Sequence, residues 1–569
     1  MILLNLNLPP DQRYKVTNIL PSIIIPGPKK PKDINSFLRP LIDELTILET
    51  GHSTIVDGDN GEVFTLRAHV LMVTGDGPAV ADAMGMKSPG NAFRPCRMCT
   101  ITGVRRTDTQ HSPYYVPHTD YPFESPPIRT QLRVDIETVE IANDDESRLL
   151  TGIRGKTELL RLRSIHFPRS FPGDIMHCVL QNIAPLLFQL WNRTKLAIDN
   201  KNATTTSSTV HQDRPGLPSY HLEKSDLDSI GDALVQSRAT IPLSLGHAPR
   251  RIDNHYKGFK AAEWKAWLIH YGPPLLWKHL HETYLANFRD LGIFYRLATT
   301  PVMSRSEIPR IAAIARKFVS TYEKIYYRGQ QERLPVCTIN IHSILHFADW
   351  ITDFGPACYF WQFPMERFCG IIKPMARSKS KLGTSIANGV VIAEHLSHLR
   401  FVHPDFAEPE TTVSEDIHYP RLANQVHQDL TSQQWVRLLQ VRRGRPIDSM
   451  LLYKRCHLNY RTTIGSRLSQ VANDTNREDC RILYHSIRGE RNFGVVEFFA
   501  TVTDGDSSDD WAYIATLTGE VRHRQEGVIA VQQEGRHTWI QTGQIHGLIG
   551  LIKEGEARFY MIISEESDM

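Results

Sequence analysis

The chain has 569 residues, 41% hydrophobic and 22% charged, an ordinary globular composition whose length calls for more than one domain. A formal net charge of only +3 excludes a uniformly basic coat, so any contact with nucleic acid has to come from local clusters. No apolar run reaches the roughly eighteen residues that suggest a membrane span, MILLNLNLPPDQRYK lacks the basic region and cleavage site of a signal peptide, and eight cysteines are too sparse for a disulfide scaffold, which fits a reducing intracellular setting.

In chain order, the short apolar runs 1–8 and 18–26 are separated by turn residues and predict the two strands of a hairpin. Residues 33–50 carry apolar side chains at helical spacing, with Asp33 or Asn35 as the cap and Gly51 as the stop. The run FTLRAHVLMVTGD, 64–76, reads as a buried strand ending in a Gly-Asp-Gly turn, and strand, strand, helix, strand opens an α/β sheet. Residues 77–150 show little periodicity. A helix is expected at 171–192, a polar mobile loop at 198–218, a mainly helical region at 258–350 and another helix at 385–402. After about residue 475, short β-type runs between Gly, Asp and Asn turns predict a small β-barrel or sandwich. No internal repeat is evident.

Asp76 closes the predicted strand at 64–76, flanked by Gly75 and Gly77, where a carboxylate would stand at the mouth of the sheet with room for a metal or phosphate. Cys96 and Cys99 form a C-x-x-C, and His342 and His346 are spaced i,i+4, which puts both rings on one helical face. Two thiolates and two imidazoles would make a closed, structural zinc site. Against that stand unpaired core thiols and ordinary partly buried rings. Glu366, in FWQFPMERFCGIIK, is crowded by aromatic residues, so it should be semi-buried and either paired with Arg367 or bound to metal. Asp174 and His177 form a D-x-x-H, readable as a helix cap with a packed ring or as a DNA-facing pair. Arg377, Lys379 and Lys381, with Lys373 and Arg367 before them, would either grip phosphates or sit in a solvated loop.

The stretches IIIPGPKKPKDINSFLRPLIDEL, GEVFTLRAHVLMVTGDGPAVADAMGMKSPGNAFRPCRMCTITGV, SFPGDIMHCVLQNIAPLLFQLW and LPVCTINIHSILHFADWITDFGPACYFWQFPMERFCGIIKP together resemble the tnp2 transposases, especially the CACTA/Plavaka-like branch. The resemblance runs in order from about residue 20 to 400. It implies an α/β, RNase H-like core (1–80 and 351–420) with a large mainly helical insertion (81–350) that holds the C-x-x-C; the linker (421–475) and the small β-rich domain (476–569) beyond it are read from composition. It also implies a D-D-E site that holds two Mg²⁺ or Mn²⁺ ions for DNA strand cleavage and transfer. On that pattern Asp76 resembles the second aspartate and Glu366 the final glutamate, and D-x-x-H motifs recur in such insertions. The catalytic subunit of the V(D)J recombinase, a distant relative, carries a C-x-x-C after its second aspartate and a His pair before its glutamate. This comparison supports Zn²⁺ at Cys96, Cys99, His342 and His346.

The pattern places a first aspartate on a strand ahead of Asn7-Leu8-Pro9-Pro10, where only six residues stand here. The core is therefore expected to lack its first strand, and the chain as written is expected not to cut DNA. The implied partners are transposon-end DNA and a second copy of the chain, in the nucleus and without a membrane. A competing expectation is a non-catalytic remnant that binds DNA or protein. A different metal-dependent hydrolase is disfavoured by the incomplete carboxylate set.

Overall fold

The computed structural model describes all residues except 26–30, 59, 108–113, 119–126, 197–216, 243–245, 247, 379–380, 404–419, 427–433, 445–446, 448, 459–462, 468–478, 506, 524–527, 555–557 and 564–569. The chain divides into two compact units, one of Met1–Pro218 with Ala286–Glu410 and one of Ser219–Leu285 with Thr411–Met569. The expected insertion, 81–350, is thus shared between both.

In the first unit, β1 (Ile2–Leu4) pairs antiparallel with β2 (Ile19–Pro21), the short hairpin that the apolar runs predict. The helix Asn35–Thr50 begins where the Asp33 carboxylate accepts the Asn35 and Ser36 amides at 2.9 and 3.2 Å. It buries Leu38, Leu41 and Ile42 on one face. Gly51 ends it at φ +114°, where a Cβ would also meet the Thr65 side chain at 2.8 Å.

β3 (His52–Val56) and β4 (Val63–Leu66) form a second hairpin, and here the structure corrects the sequence. The predicted strand at 64–76 stops at Leu66. Beyond it the Ala68 amide donates to the Leu48 carbonyl at 3.1 Å and the Val73 amide to the Ser170 carbonyl at 2.8 Å, with no ladder. Val70 and Val73 pack instead on a core that holds Ile42, Val80 and Phe171. An apolar run can bury itself against helices as well as in a sheet, and periodicity does not separate the two.

Among the described residues of the stretch 77–150 are the helices Gly77–Ala83, Leu132–Ala142 and Asp145–Thr151. The middle one buries Leu132, Ile136 and Val139, an i, i+4, i+7 stripe interrupted by charges and missed on that account. The helix expected at 171–192 starts as a π-helix, Met176–Ile183, and continues as Ala184–Trp191. Helices Ile308–Tyr322, Ile339–Ser343, Phe347–Phe354 and Leu382–Val402 match the helical reading of these regions, and a further helix, Phe363–Ile372, carries Glu366. Most of the expected polar loop 198–218 lies outside the described residues.

The second unit carries helices such as Lys224–Gln236 and one large antiparallel sheet of β5 (Arg421–Val426), β6 (Ser449–His457), β7 (Thr463–Gly465), β8 (Arg481–His485), β9 (Arg491–Asp504), β10 (Ser507–His523), β11 (Val528–Gln541), β12 (Ile545–Glu554) and β13 (Arg558–Ile563). The 14-residue β9 pairs with β8 and then β6 along one edge and with β10 along the other, so the sheet curls on itself. Ile482, Val496, Phe499, Ala512, Ile514 and Ile540 form its inner core. The sheet begins at Arg421, so part of the expected linker 421–475 is strand. β6 hides this in its sequence, because Lys454 and Arg455 interrupt an alternation whose buried members are Leu452 and Cys456.

Candidate metal centre and acidic site

The C-x-x-C forms a tight knuckle. The Met98 and Cys99 amides donate to the Cys96 sulfur at 3.3 and 3.4 Å, and Cys99 makes an isolated bridge with Ile128. The two histidines straddle a junction, His342 in the short helix Ile339–Ser343 and His346 closing a 3₁₀ turn, Ile344–His346. Their spacing still brings the rings to 4.9 Å between centroids. Cys96 Sγ lies 3.4 Å from His346 Nε2, Cys99 Sγ 3.2 Å from His342 Nε2, and the two Nε2 atoms are 3.1 Å apart. All four donor atoms lie within 4.8 Å of one another and all four residues are buried.

A tetrahedral zinc with usual bond lengths would put sulfur and nitrogen about 3.6 Å apart and two nitrogens about 3.3 Å apart. The observed separations come within a few tenths of an ångström of these, on the short side. The residues therefore fit a metal such as zinc, the closed ligand set that C-x-x-C and His-x-x-x-His suggest. Without an ion the two thiols part electrostatically. Burial alone would push the Cys96 thiol up, but the Cys99 hydrogen bond and the charges of His346 and His342 hold it well below its usual range. Cys99 is pushed far up by its hydrogen bond to Cys96 and by burial.

Arg129 supports the knuckle from behind. Its guanidinium donates to the Cys96, Cys99 and Arg94 carbonyls at 2.8, 3.1 and 2.8 Å, fixing the loop that carries the sulfurs. Nothing in PPIRT, a proline-rich segment without periodicity, announces this role. His346 Nδ1 is 3.9 Å from Asp349, while His342 Nδ1 is buried without a partner.

The second assembly joins three distant segments. Thr74 donates its hydroxyl to the Phe360 carbonyl at 2.8 Å and receives the Gln362 side-chain amide at 3.2 Å. Asp174 Oδ1 accepts the Met176 and Gln362 amides, both at 3.0 Å. Its Oδ2 accepts the His177 amide at 3.1 Å and the His177 Nδ1 hydrogen bond. His177 Nε2 then lies 3.8 Å from Glu366. Burial would lower the His177 pKa, but the Asp174 hydrogen bond and the charges of Asp174, Asp76 and Glu366 raise it. Asp76 thus acts on the same ring as Glu366. Thr74 and Gln362, which sew these segments together, carry no motif that sequence reading could seize.

Several expectations change in detail. Asp76 does not end a strand; it caps the helix Gly77–Ala83, its carboxylate accepting the Ala79 amide at 2.7 Å. Glu366 is not semi-buried, since its side chain is 54% exposed. Arg367 is not its partner and donates to the Tyr14 carbonyl. Among the described residues, the cysteine–histidine group alone brings three or more ligand atoms close enough to share an ion, so the acidic side chains form no such group. Arg367, Lys373, Arg377 and Lys381 are all exposed, and Lys379 lies outside the described residues.

Residues 1–147 match the family model described as transposase family tnp2, a span that includes Asp76, Cys96, Cys99 and Arg129. No curated protein matches the chain. No helix among the described residues is long and apolar enough to cross a membrane.

Proposed function

We propose that this chain, whose first 147 residues match the tnp2 transposases, is the core of a DDE-type transposase of the CACTA/Plavaka-like branch that handles transposon-end DNA in the nucleus. The observation that carries this reading is the meeting of residues 74–76, 174–177 and 360–366 through Thr74, Asp174 and Gln362. In this reading the core is RNase H-like, and Asp76 and Glu366 face the DNA backbone. The exposed Arg367, Lys373, Arg377 and Lys381 hold phosphates beside them, with Lys379 in the same run. Zinc at Cys96, Cys99, His342 and His346 ties together the two ends of a helical insertion.

Mg²⁺ or Mn²⁺, when bound, would activate water or a DNA 3′-hydroxyl and stabilise the leaving oxygen. The described side chains do not fit that ion by themselves. A carboxylate offers about four lone-pair sites, and Asp174 spends its own on Met176, Gln362 and both donors of His177. Asp76 and Glu366 remain, with the His177 ring beside Glu366. The chain on its own therefore holds DNA without cutting it, which also suits a non-catalytic remnant acting as a binding module.

The test uses purified protein with its zinc intact, labelled duplex DNA and supercoiled plasmid in Mg²⁺ or Mn²⁺. We expect retardation of the duplex, salt-sensitive and weakened in a Lys373→Ala, Arg377→Ala, Lys381→Ala variant, with the plasmid left intact. Failure to retard DNA at low salt overturns the proposal. Nicking that Glu366→Gln abolishes overturns the binding-only part and restores a complete nuclease.

A further inference from the structure

We infer that Asp174 is a positioning residue of the acidic site, locking the His177 ring against Glu366 and seating both on the cysteine–histidine knuckle. The inference rests on the reading of Glu366 as a working group.

Asp174 has a side chain only 1% exposed, and a buried carboxylate is costly unless every lone pair is used. Two of its four donors, the Met176 and His177 amides, belong to its own turn and would satisfy any helix cap. The other two do more. The His177 Nδ1 bond fixes the ring so that Nε2 faces Glu366 at 3.8 Å. The Gln362 amide, 188 residues away in sequence, opens the helix Phe363–Ile372 that carries Glu366. The Glu366 amide in turn donates to the Gln362 carbonyl at 2.9 Å. A serine or threonine cap could satisfy the local amides but could not hold a ring and a second helix together. With no lone pair to spare, Asp174 is no metal ligand; it acts through its neighbours.

The seat of Asp174 is equally constrained. A Cβ on Gly173 would lie 2.5 Å from the Trp350 ring, so the backbone just before Asp174 is pressed directly on that indole. The Trp350 ring stands 5.8 Å from the His346 ring. Arg97, the neighbour of Cys96, donates to the Pro172 carbonyl at 3.1 Å and lies over Trp350 at 5.8 Å. One ligand from each half of the knuckle therefore reaches the segment Pro172–Asp174 through a single side chain. The π-helix Met176–Ile183 begins immediately after, and such wide turns are frequent at functional sites.

The experiment labels the full-length, zinc-loaded protein with ¹⁵N-histidine and follows ring resonances, assigning His177 with His177→Gln. Wild type should show a downfield, slowly exchanging Nδ1–H signal that Asp174→Asn removes while zinc content and helical circular dichroism stay unchanged. Loss of one charge-assisted hydrogen bond should also weaken duplex DNA binding about tenfold. A purely structural role would move zinc content or circular dichroism and is thereby told apart. If Asp174→Asn loses zinc or helix, Gly173→Ala takes its place, since its Cβ displaces the same segment and should shift the same resonance. A His177 signal unaltered in both variants overturns the inference. A lost signal with unaltered DNA binding upholds the positioning role and counts instead against DNA contact at this face.

Discussion

The knuckle and the acidic site draw on neighbouring stretches of one unit and arrive at opposite designs. Cys96, Cys99, His342 and His346 are 3%, 0%, 1% and 6% exposed, and their ligand atoms converge on one another within 4.8 Å. Nothing is left over for a substrate, the mark of a structural centre. In the acidic site the buried member, Asp174, is fully engaged, and Glu366, 3.8 Å from the His177 ring, is more than half exposed. A centre that holds a fold must close its valences. On the proposed reading, the acidic site leaves some open for a ligand and puts the bracing behind them.

The largest expected effect falls on the closed site. Cys99→Ser should lose the metal and several kcal/mol of stability, because binding energy at a structural zinc site is folding energy. Metal analysis and a thermal melt check this, and exhaustive chelation of the wild type should reproduce the destabilisation. An unaltered melt without metal would erase the contrast between the sites. Next comes Arg129→Met, which leaves the Cys96, Cys99 and Arg94 carbonyls without their shared donor. It should cost about 2–3 kcal/mol and weaken zinc about tenfold or more, as supporting residues do. Competition with a chromogenic chelator reads the affinity.

The smallest effect belongs to the open site. Glu366→Gln changes a side chain 54% exposed, so stability should stay within about 0.5 kcal/mol and zinc content should not move. A melt of this variant as low as that of Cys99→Ser would mean that Glu366 braces the fold, and the comparison would fail from the other side.

What was legible follows from how local each signal is. The cap at Asp33 and the stop at Gly51 lie within a few residues of the backbone they satisfy, and both appear where the sequence puts them. C-x-x-C and His-x-x-x-His are local geometries of a loop and a helix, so each half of the metal centre could be read separately. The strand at 64–76 could not, because its apolar residues serve a helical core as well as a sheet. Arg129 was invisible because its work is done on carbonyls about thirty residues back, which carry no side-chain signature.

From the residues alone came the ligand-bearing motifs, the helical stretches and the β-rich end, since periodicity and donor chemistry are properties of short segments. Tertiary structure alone decided that Asp174 spends its lone pairs on Gln362 and His177, and that Thr74 meets Phe360 across 286 positions. Those choices depend on which distant backbone donors arrive at a buried carboxylate or hydroxyl. Only the packing of the whole unit determines that, because a buried polar group must take whatever partners the fold delivers.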